Sequence, residues 1–268
     1  MENFWTLFSR EVAATINLWG IRVYLYGLLL GIGVVAGITV SERLKGKIIS
    51  QAAWTWITIC GLIGARIYHV IDLWSFYKEN LGGIFDIGNG GLGIFGAILG
   101  AAIATFAYSR MKKSSWLLIT DTLALAAPLA QAIGRWGNFF NMEGFGSPTN
   151  LPWKIFISQI KRPEIFVKDL YFHPLFLYES LLDLMLCWIL IRFAKQSKTG
   201  EITAVYLLGY GIIRLFMETM RLDTWIVGGF KMGYLFSLFC ILGGMAILVF
   251  IKNVRTKNLG FKQKTPYY

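Results

Sequence analysis

The chain has 268 residues, of which 56% are hydrophobic and only 15% charged, a composition that no water-exposed globular surface carries. Its 10 Trp, 12 Tyr and 20 Phe exclude a disordered chain, and its three cysteines, Cys60, Cys187 and Cys240, each inside an apolar stretch, exclude a disulfide scaffold. The formal charge of +11 comes from 26 Lys and Arg gathered into short clusters between apolar runs, the pattern of loops facing anionic lipid and not of a nucleic-acid surface.

A helix needs about 20 apolar residues to cross the hydrocarbon layer. Residues 1–20 form an arm, either an interfacial helix or irregular, with Phe4, Trp5, Leu7, Phe8 and Val12 among Glu2, Arg10 and Glu11. Seven apolar stretches then follow over 21–251, at approximately 21–40, 50–72, 90–109, 115–135, 173–194, 202–221 and 232–251. Basic residues come after the first (Arg43, Lys45, Lys47), the third (Arg110, Lys112, Lys113), the fifth (Lys195, Lys198) and the seventh (Lys252, Arg255, Lys257, Lys262, Lys264). The positive-inside rule makes these segments cytoplasmic. The expected fold is therefore an all-α polytopic membrane protein with seven transmembrane helices, the N-terminus outside and the C-terminus cytoplasmic. No cleavable signal peptide is expected, because the basic cluster follows the first apolar run instead of preceding it. The external loop 144–172 mixes Trp153, Phe156, Phe166, Tyr171 and Phe172 with Lys154, Lys161, Arg162 and Lys168, which suits contact with headgroups. Residues 252–268 read as a solvated basic tail.

Charged side chains within a bilayer cost about 2.5 to 3.5 kcal/mol each on insertion scales, so those present point to function. With the polar groups beside them, in chain order they are Tyr26 in the first span, Arg66 and His69 in the second, Asp121 and Arg135 in the fourth, and His173, Tyr178, Glu179 and Asp183 in the fifth, of which the tyrosines and neutral histidines carry no charge. In the sixth, Arg214, Glu218 and Arg221 fall at i, i+4 and i+7, with Tyr210 one turn earlier, and stack on one face. With the orientation above, Tyr26, Arg66, His69, Arg135 and the Arg214–Arg221 stripe all lie in the outer half of the bilayer. Helix-packing salt bridges explain a single pair, but not a whole set at one depth. Four arginines face two glutamates, Glu179 and Glu218, with Glu143 at the rim, so the set reads as a site for an anion. Guanidinium binds phosphate through two parallel hydrogen bonds and keeps its charge when desolvated. A phosphate at that depth belongs to a phospholipid headgroup.

The end of the fourth span reads Gly134-Arg135-Trp136-Gly137-Asn138-Phe139-Phe140-Asn141-Met142-Glu143-Gly144-Phe145-Gly146, a glycine- and amide-rich turn open to close approach by polar ligand atoms. This segment resembles the GRxGNFxNxExxG signature of the prolipoprotein diacylglyceryl transferases. Tyr26-Gly27, Gly64-Ala65-Arg66, Gly90-Gly91-Leu92 with Gly96, His173-Pro174 with Leu177-Tyr178-Glu179, and Arg214, Glu218 and Arg221 match the same family in order, so that the resemblance covers roughly residues 20–250.

The resemblance implies an enzyme of the bacterial cytoplasmic (inner) membrane. It would move the diacylglyceryl group of phosphatidylglycerol onto the lipobox cysteine thiol in the signal peptide of a preprolipoprotein, releasing glycerol 1-phosphate, as the first step of lipoprotein maturation. Its partners would be phosphatidylglycerol, preprolipoprotein signal peptides and membrane lipid, with no nucleic acid. It implies catalytic roles for Arg135, Arg214, Glu218 and Tyr26. It implies substrate binding by Arg66, Asn138, Asn141, Glu143, Gly146, Tyr178, Glu179 and Arg221. One departure matters, because many members have a histidine in the third-span glycine motif where this chain has Phe95. His69 and His173 are the candidate bases that remain, unless the arginines activate the thiol by themselves. No cofactor and no metal site are expected, since two scattered histidines and three apolar cysteines offer no ligand cluster. An anion transporter and a noncatalytic lipid-binding protein are the rival classes. Against the first, the polar residues stop at mid-membrane. Release of glycerol phosphate distinguishes an enzyme from the second.

Overall fold

The structure, a computed structural model, describes residues 9, 13–19, 21–86, 90–222, 224 and 226–262. Its long helices are α1 (Leu25–Lys45), α2 (Gln51–Asp72), α3 (Ile94–Met111), α4 (Trp116–Asn141), α5 (Leu175–Ala194), α6 (Glu201–Met220) and α7 (Met232–Lys262). Three antiparallel hairpins accompany them: β1 (Thr15–Leu18) with β2 (Ile21–Tyr24), β3 (Ile155–Phe156) with β4 (Tyr171–Phe172), and β5 (Ile226–Val227) with β6 (Phe230–Lys231). Among the described residues six helices are long and apolar enough to cross a membrane: α1, α2, α3, α4, α6 and the Met232–Val254 part of α7. In lipid such segments must be helical, because only the helix satisfies every backbone N–H and C=O internally. α5 matches them with 20 residues, but Glu179, Asp183 and Arg192 lie within it.

Several boundaries differ from the sequence expectation, each for a local reason. The first helix starts at Leu25 and not at 21, because Ile21–Tyr24 pairs with Thr15–Leu18 in register Thr15↔Tyr24 to Leu18↔Ile21. The arm, expected as an interfacial helix or as irregular chain, thus contains the strand Thr15–Leu18; its residues 1–8, 10–12 and 20 lie outside the described residues. α4 runs six residues beyond the expected end at 135, since Trp136, Phe139 and Phe140 continue its apolar face; the turn begins at Met142 (φ 53) and Gly144 (φ 63). α7 continues to Lys262, so the basic tail begins as helix; lysine and arginine are good helix formers, and cations suit a helix C-terminus. Residues 263–268 lie outside the described residues.

The chain divides into two compact units, residues 1–45 with 123–268 and residues 46–122. In the first, α1 packs on α4 with no side chain between them at two points: a Cβ at Gly33 or Gly37 would strike the backbone of Ala130 or Ala126. The same device joins α6 to α7, where Gly211 meets Ser237 and Cys240, and Gly244 meets Ala204. The core between α4, α5 and α6 is built on Leu125, Leu175, Leu186, Leu190, Ile202 and Met217. A second, aromatic cluster of Phe139, Phe145, Phe172 and Phe176 seats the loop after α4 against the start of α5. In the second unit α2 and α3 meet through Gly64, Gly96 and Gly100, each against backbone of the facing helix.

Candidate active site

Glu179 lies one turn into α5, is 3% exposed and gathers three arginines. Arg135 from the last turns of α4 places Nε 2.6 Å from Glu179 Oε2. Arg214 from α6 places Nη1 3.2 Å from Oε1, and Arg221, just past the end of α6, places Nη1 3.6 Å from the same oxygen. Both carboxylate oxygens are therefore in use, one by Arg135 and one shared by the other two. Among the described residues the two terminal nitrogens of Arg135 make no hydrogen bond, so its anchored Nε edge leaves the forked end for a ligand.

Glu218 is fully buried and holds Arg214 from the opposite side, with Nη2 of Arg214 2.7 Å from its Oε2. The Thr224 hydroxyl donates to its Oε1. Gly233 of α7 lies so close that a Cβ there would fall on the carboxylate. Arg214 thus spans two carboxylates, Glu179 through Nη1 and Glu218 through Nη2, which fixes the plane of its guanidinium. Glu218→Gln keeps one oxygen for Thr224 but removes the charge facing Arg214. Turnover should fall at least tenfold while the amount of membrane-inserted protein is unchanged; loss of folded protein instead would make Glu218 structural.

Asp183, one turn beyond Glu179, joins this set. Its side chain is fully buried, its Oδ2 is 3.9 Å from Arg135 Nε, and neither oxygen makes a hydrogen bond among the described residues. The charge balance therefore differs from the four arginines against two glutamates read in the sequence. Arg135, Arg214 and Arg221 face Glu179, Glu218 and Asp183, three against three. Arg66 belongs to the other unit, where its guanidinium is bound by backbone carbonyls. Affinity for an anion in this unit must come from the direction of unengaged N–H groups and not from surplus charge.

The signature segment surrounds the cluster. Asn138 and Asn141 are half-buried in the last turns of α4, and the Asn138 carbonyl accepts from Glu143 N at 2.9 Å, closing the turn that leaves the Glu143 side chain exposed. Gly144 and its positive φ bring the chain within reach of the Arg221 guanidinium and Asn138. Gly146 pairs with Arg221 as an isolated antiparallel bridge and donates its N–H to the His173 carbonyl at 3.0 Å; a side chain there would press on His173 and Leu175. Tyr26, the second residue of α1, lies against Gly137, two residues from Arg135, where a Cβ would enter the tyrosine ring. Tyr178 accepts a hydrogen bond from Trp153 Nε1 at 2.7 Å, and its hydroxyl lies 3.1 Å from His173 Nδ1.

The structure thus places Tyr26, Arg135, Asn138, Asn141, Glu143, Gly146, His173, Tyr178, Glu179, Arg214, Glu218 and Arg221 in one unit, and Arg66 and His69 in the other. His69 packs edge-on against Tyr77 with ring centroids 5.9 Å apart, beside Gly91. Thr224 was not singled out in the sequence, and Trp153 was read there only as part of a loop resting on headgroups. Both act from loops, where no helical or strand spacing relates them to their partners.

A family model described as prolipoprotein diacylglyceryl transferase matches residues 13–250. A phosphatidylglycerol–prolipoprotein diacylglyceryl transferase of Acaryochloris marina is 38% identical over 258 residues, covering 92% of this chain and 93% of that protein. Proteins of the same name from Synechococcus elongatus and Finegoldia magna are each 38% identical, over 86% and 90% of this chain and 84% and 96% of their own lengths. With the match running through the helix that carries Arg135 and through those that supply Glu179 and Arg214, the chain belongs to the prolipoprotein diacylglyceryl transferase family.

Proposed function

We propose that the chain transfers the diacylglyceryl group of phosphatidylglycerol to a prolipoprotein, as the names of its relatives state for them. The acceptor is the thiol of the lipobox cysteine in the signal peptide, and glycerol 1-phosphate leaves. The S–C bond forms on the glycerol carbon as its C–O bond to phosphate breaks; the bonding pair leaves on the phosphate oxygen of glycerol 1-phosphate, so negative charge grows there, and the proton that the thiol gives up ends on that leaving phosphate. The observation that carries this reading is the arrangement around Glu179: three arginines converge on one buried carboxylate, and among the described residues the two terminal nitrogens of Arg135 make no hydrogen bond. Such a fork takes two oxygens of a phosphate, and pre-aimed donors in a water-poor site stabilise charge as it develops. The reading further places the chain in the bacterial cytoplasmic membrane with seven spans, α5 included, its N-terminal side outside and its arginine cluster in the outer half, where phosphatidylglycerol headgroups of that leaflet reach it.

The test is direct. Purified protein added to phosphatidylglycerol vesicles and a lipobox peptide should release glycerol phosphate and increase the peptide mass by a diacylglyceryl group. A peptide with serine in place of the cysteine should remain unmodified. A protein that binds the lipid without releasing glycerol phosphate overturns the reading.

Phe95 occupies the position where many members have a histidine, which raises the question of where the thiol proton goes. In the proposed mechanism no histidine is needed, because guanidinium groups beside the sulfur favour its thiolate. His69→Gln and His173→Gln should each retain activity within tenfold of the parent. A loss beyond about a hundredfold in either, with lipid binding intact, would assign that residue as the general base.

A further inference from the structure

Arg66 is 7% exposed, and each of its N–H groups ends on a backbone carbonyl. Nε donates to Ile84 O at 2.8 Å, Nη1 to Gly90 O and Gly91 O at 2.9 Å each, and Nη2 to Gly83 O at 2.5 Å and Asp86 O at 2.9 Å. A guanidinium has five N–H donors and no acceptor, so none is left for a phosphate oxygen. Its face lies over Tyr77, 5.3 Å from the ring centroid. Carbonyl oxygens converging in this way repel one another unless a cation with many directed donors lies among them. Lysine, with three donors on one atom, cannot replace it.

The segment so held leads into α3. Gly90 and Gly91 have φ of 92° and 79°, and Gly91 lies so close to Arg66 Nη1 and His69 Nε2 that no side chain fits between. The Gly93 N–H then donates to Ala65 O at 3.0 Å, and Gly93 and Gly96 close on Tyr68 and Gly64. α2 acts as a template along which residues 83–86 and 90–96 are laid, and Arg66 is its strongest point of attachment. We infer that Arg66 is a positioning residue that sets the entry to α3, and does not bind the lipid phosphate as the resemblance implied. The inference rests on the transferase reading above, because its effect is read in turnover.

Arg66→Lys should raise amide hydrogen exchange at residues 83–86, 90 and 91 at least tenfold and lower kcat at least tenfold. It should leave the KM for phosphatidylglycerol within threefold. Gly91→Ala, which disturbs the same contact from the loop side with Arg66 intact, should give the same pattern, and the double variant should be no worse than the more damaged single one. A tenfold rise in KM with exchange unchanged overturns the inference in favour of a lipid ligand. Raised exchange with kcat and KM of the parent overturns it in favour of a purely structural role. Should neither variant yield folded protein, exchange in the parent protein decides: protection of residues 83–86, 90 and 91 that is the same with and without phosphatidylglycerol supports the inference, and protection that falls as lipid is added overturns it. A parent protein that makes no product refutes the transferase reading and leaves this exchange comparison standing.

Discussion

Arg135→Lys and Arg214→Lys should each lower product formation by about a hundredfold or more, the cost of removing one pre-aimed donor from a charge-stabilising site. The geometry says why a conserved charge is not enough. Arg135 spends Nε on Glu179, and its two terminal nitrogens make no hydrogen bond among the described residues. Arg214 divides Nη1 and Nη2 between Glu179 and Glu218. An ammonium has one nitrogen, and placing it on either carboxylate removes it from the ligand. Release of glycerol phosphate from phosphatidylglycerol vesicles measures the effect, and full activity in both lysine variants would refute the assignment.

Glu179→Gln should do comparable damage by a different route. The carboxylate serves Arg135 with one oxygen and Arg214 and Arg221 with the other. An amide replaces one of these acceptors with a donor, so whichever way it is turned, an N–H group faces an arginine. Removing one partner of a buried ion pair costs about 3 to 5 kcal/mol, so the variant should lose both turnover and thermal stability in detergent. Glu179→Asp keeps the charge but shortens the reach, and should recover stability more than turnover. A Gln variant with the melting temperature and kcat of the parent would show that the arginines are held by something else.

The helices were legible because a bilayer leaves the chain little choice: every long apolar stretch in the sequence contains a helix. Their ends were less so. The β5–β6 hairpin turns on Gly228-Gly229, a two-residue glycine turn that a search for 20-residue apolar runs passes over. In the site, the i, i+4, i+7 spacing of Arg214, Glu218 and Arg221 described α6 only as far as Met220; beyond it Arg221 leaves the helix and reaches Glu179 from extended backbone. Asp183 was visible as a charge in an apolar run, but its place beside Arg135 depends on how α4 packs on α5. Arg66 shows the sharper limit. An arginine among apolar residues looks the same in sequence whether its partner is a phosphate or a ring of carbonyls, and these carbonyls come from 17 to 25 residues away.

The glycine contacts between α1 and α4 also act as a gauge. Along α1 the chain passes from Tyr26 to Gly33 to Gly37, and along α4 in the opposite direction from Gly137 to Ala130 to Ala126, in steps of seven and four residues on both helices. Seven residues are nearly two full turns, so the tyrosine and both glycines lie on one stripe. Where the backbones touch at Gly33 and Gly37, neither helix can slide or roll, and the tyrosine ring inherits its azimuth from contacts that lie about two and three turns further along the helix. One residue added between Tyr26 and Gly33 would leave those contacts whole yet turn the ring by about 100° from Gly137. The number of residues in that interval, and not only their identity, belongs to the site.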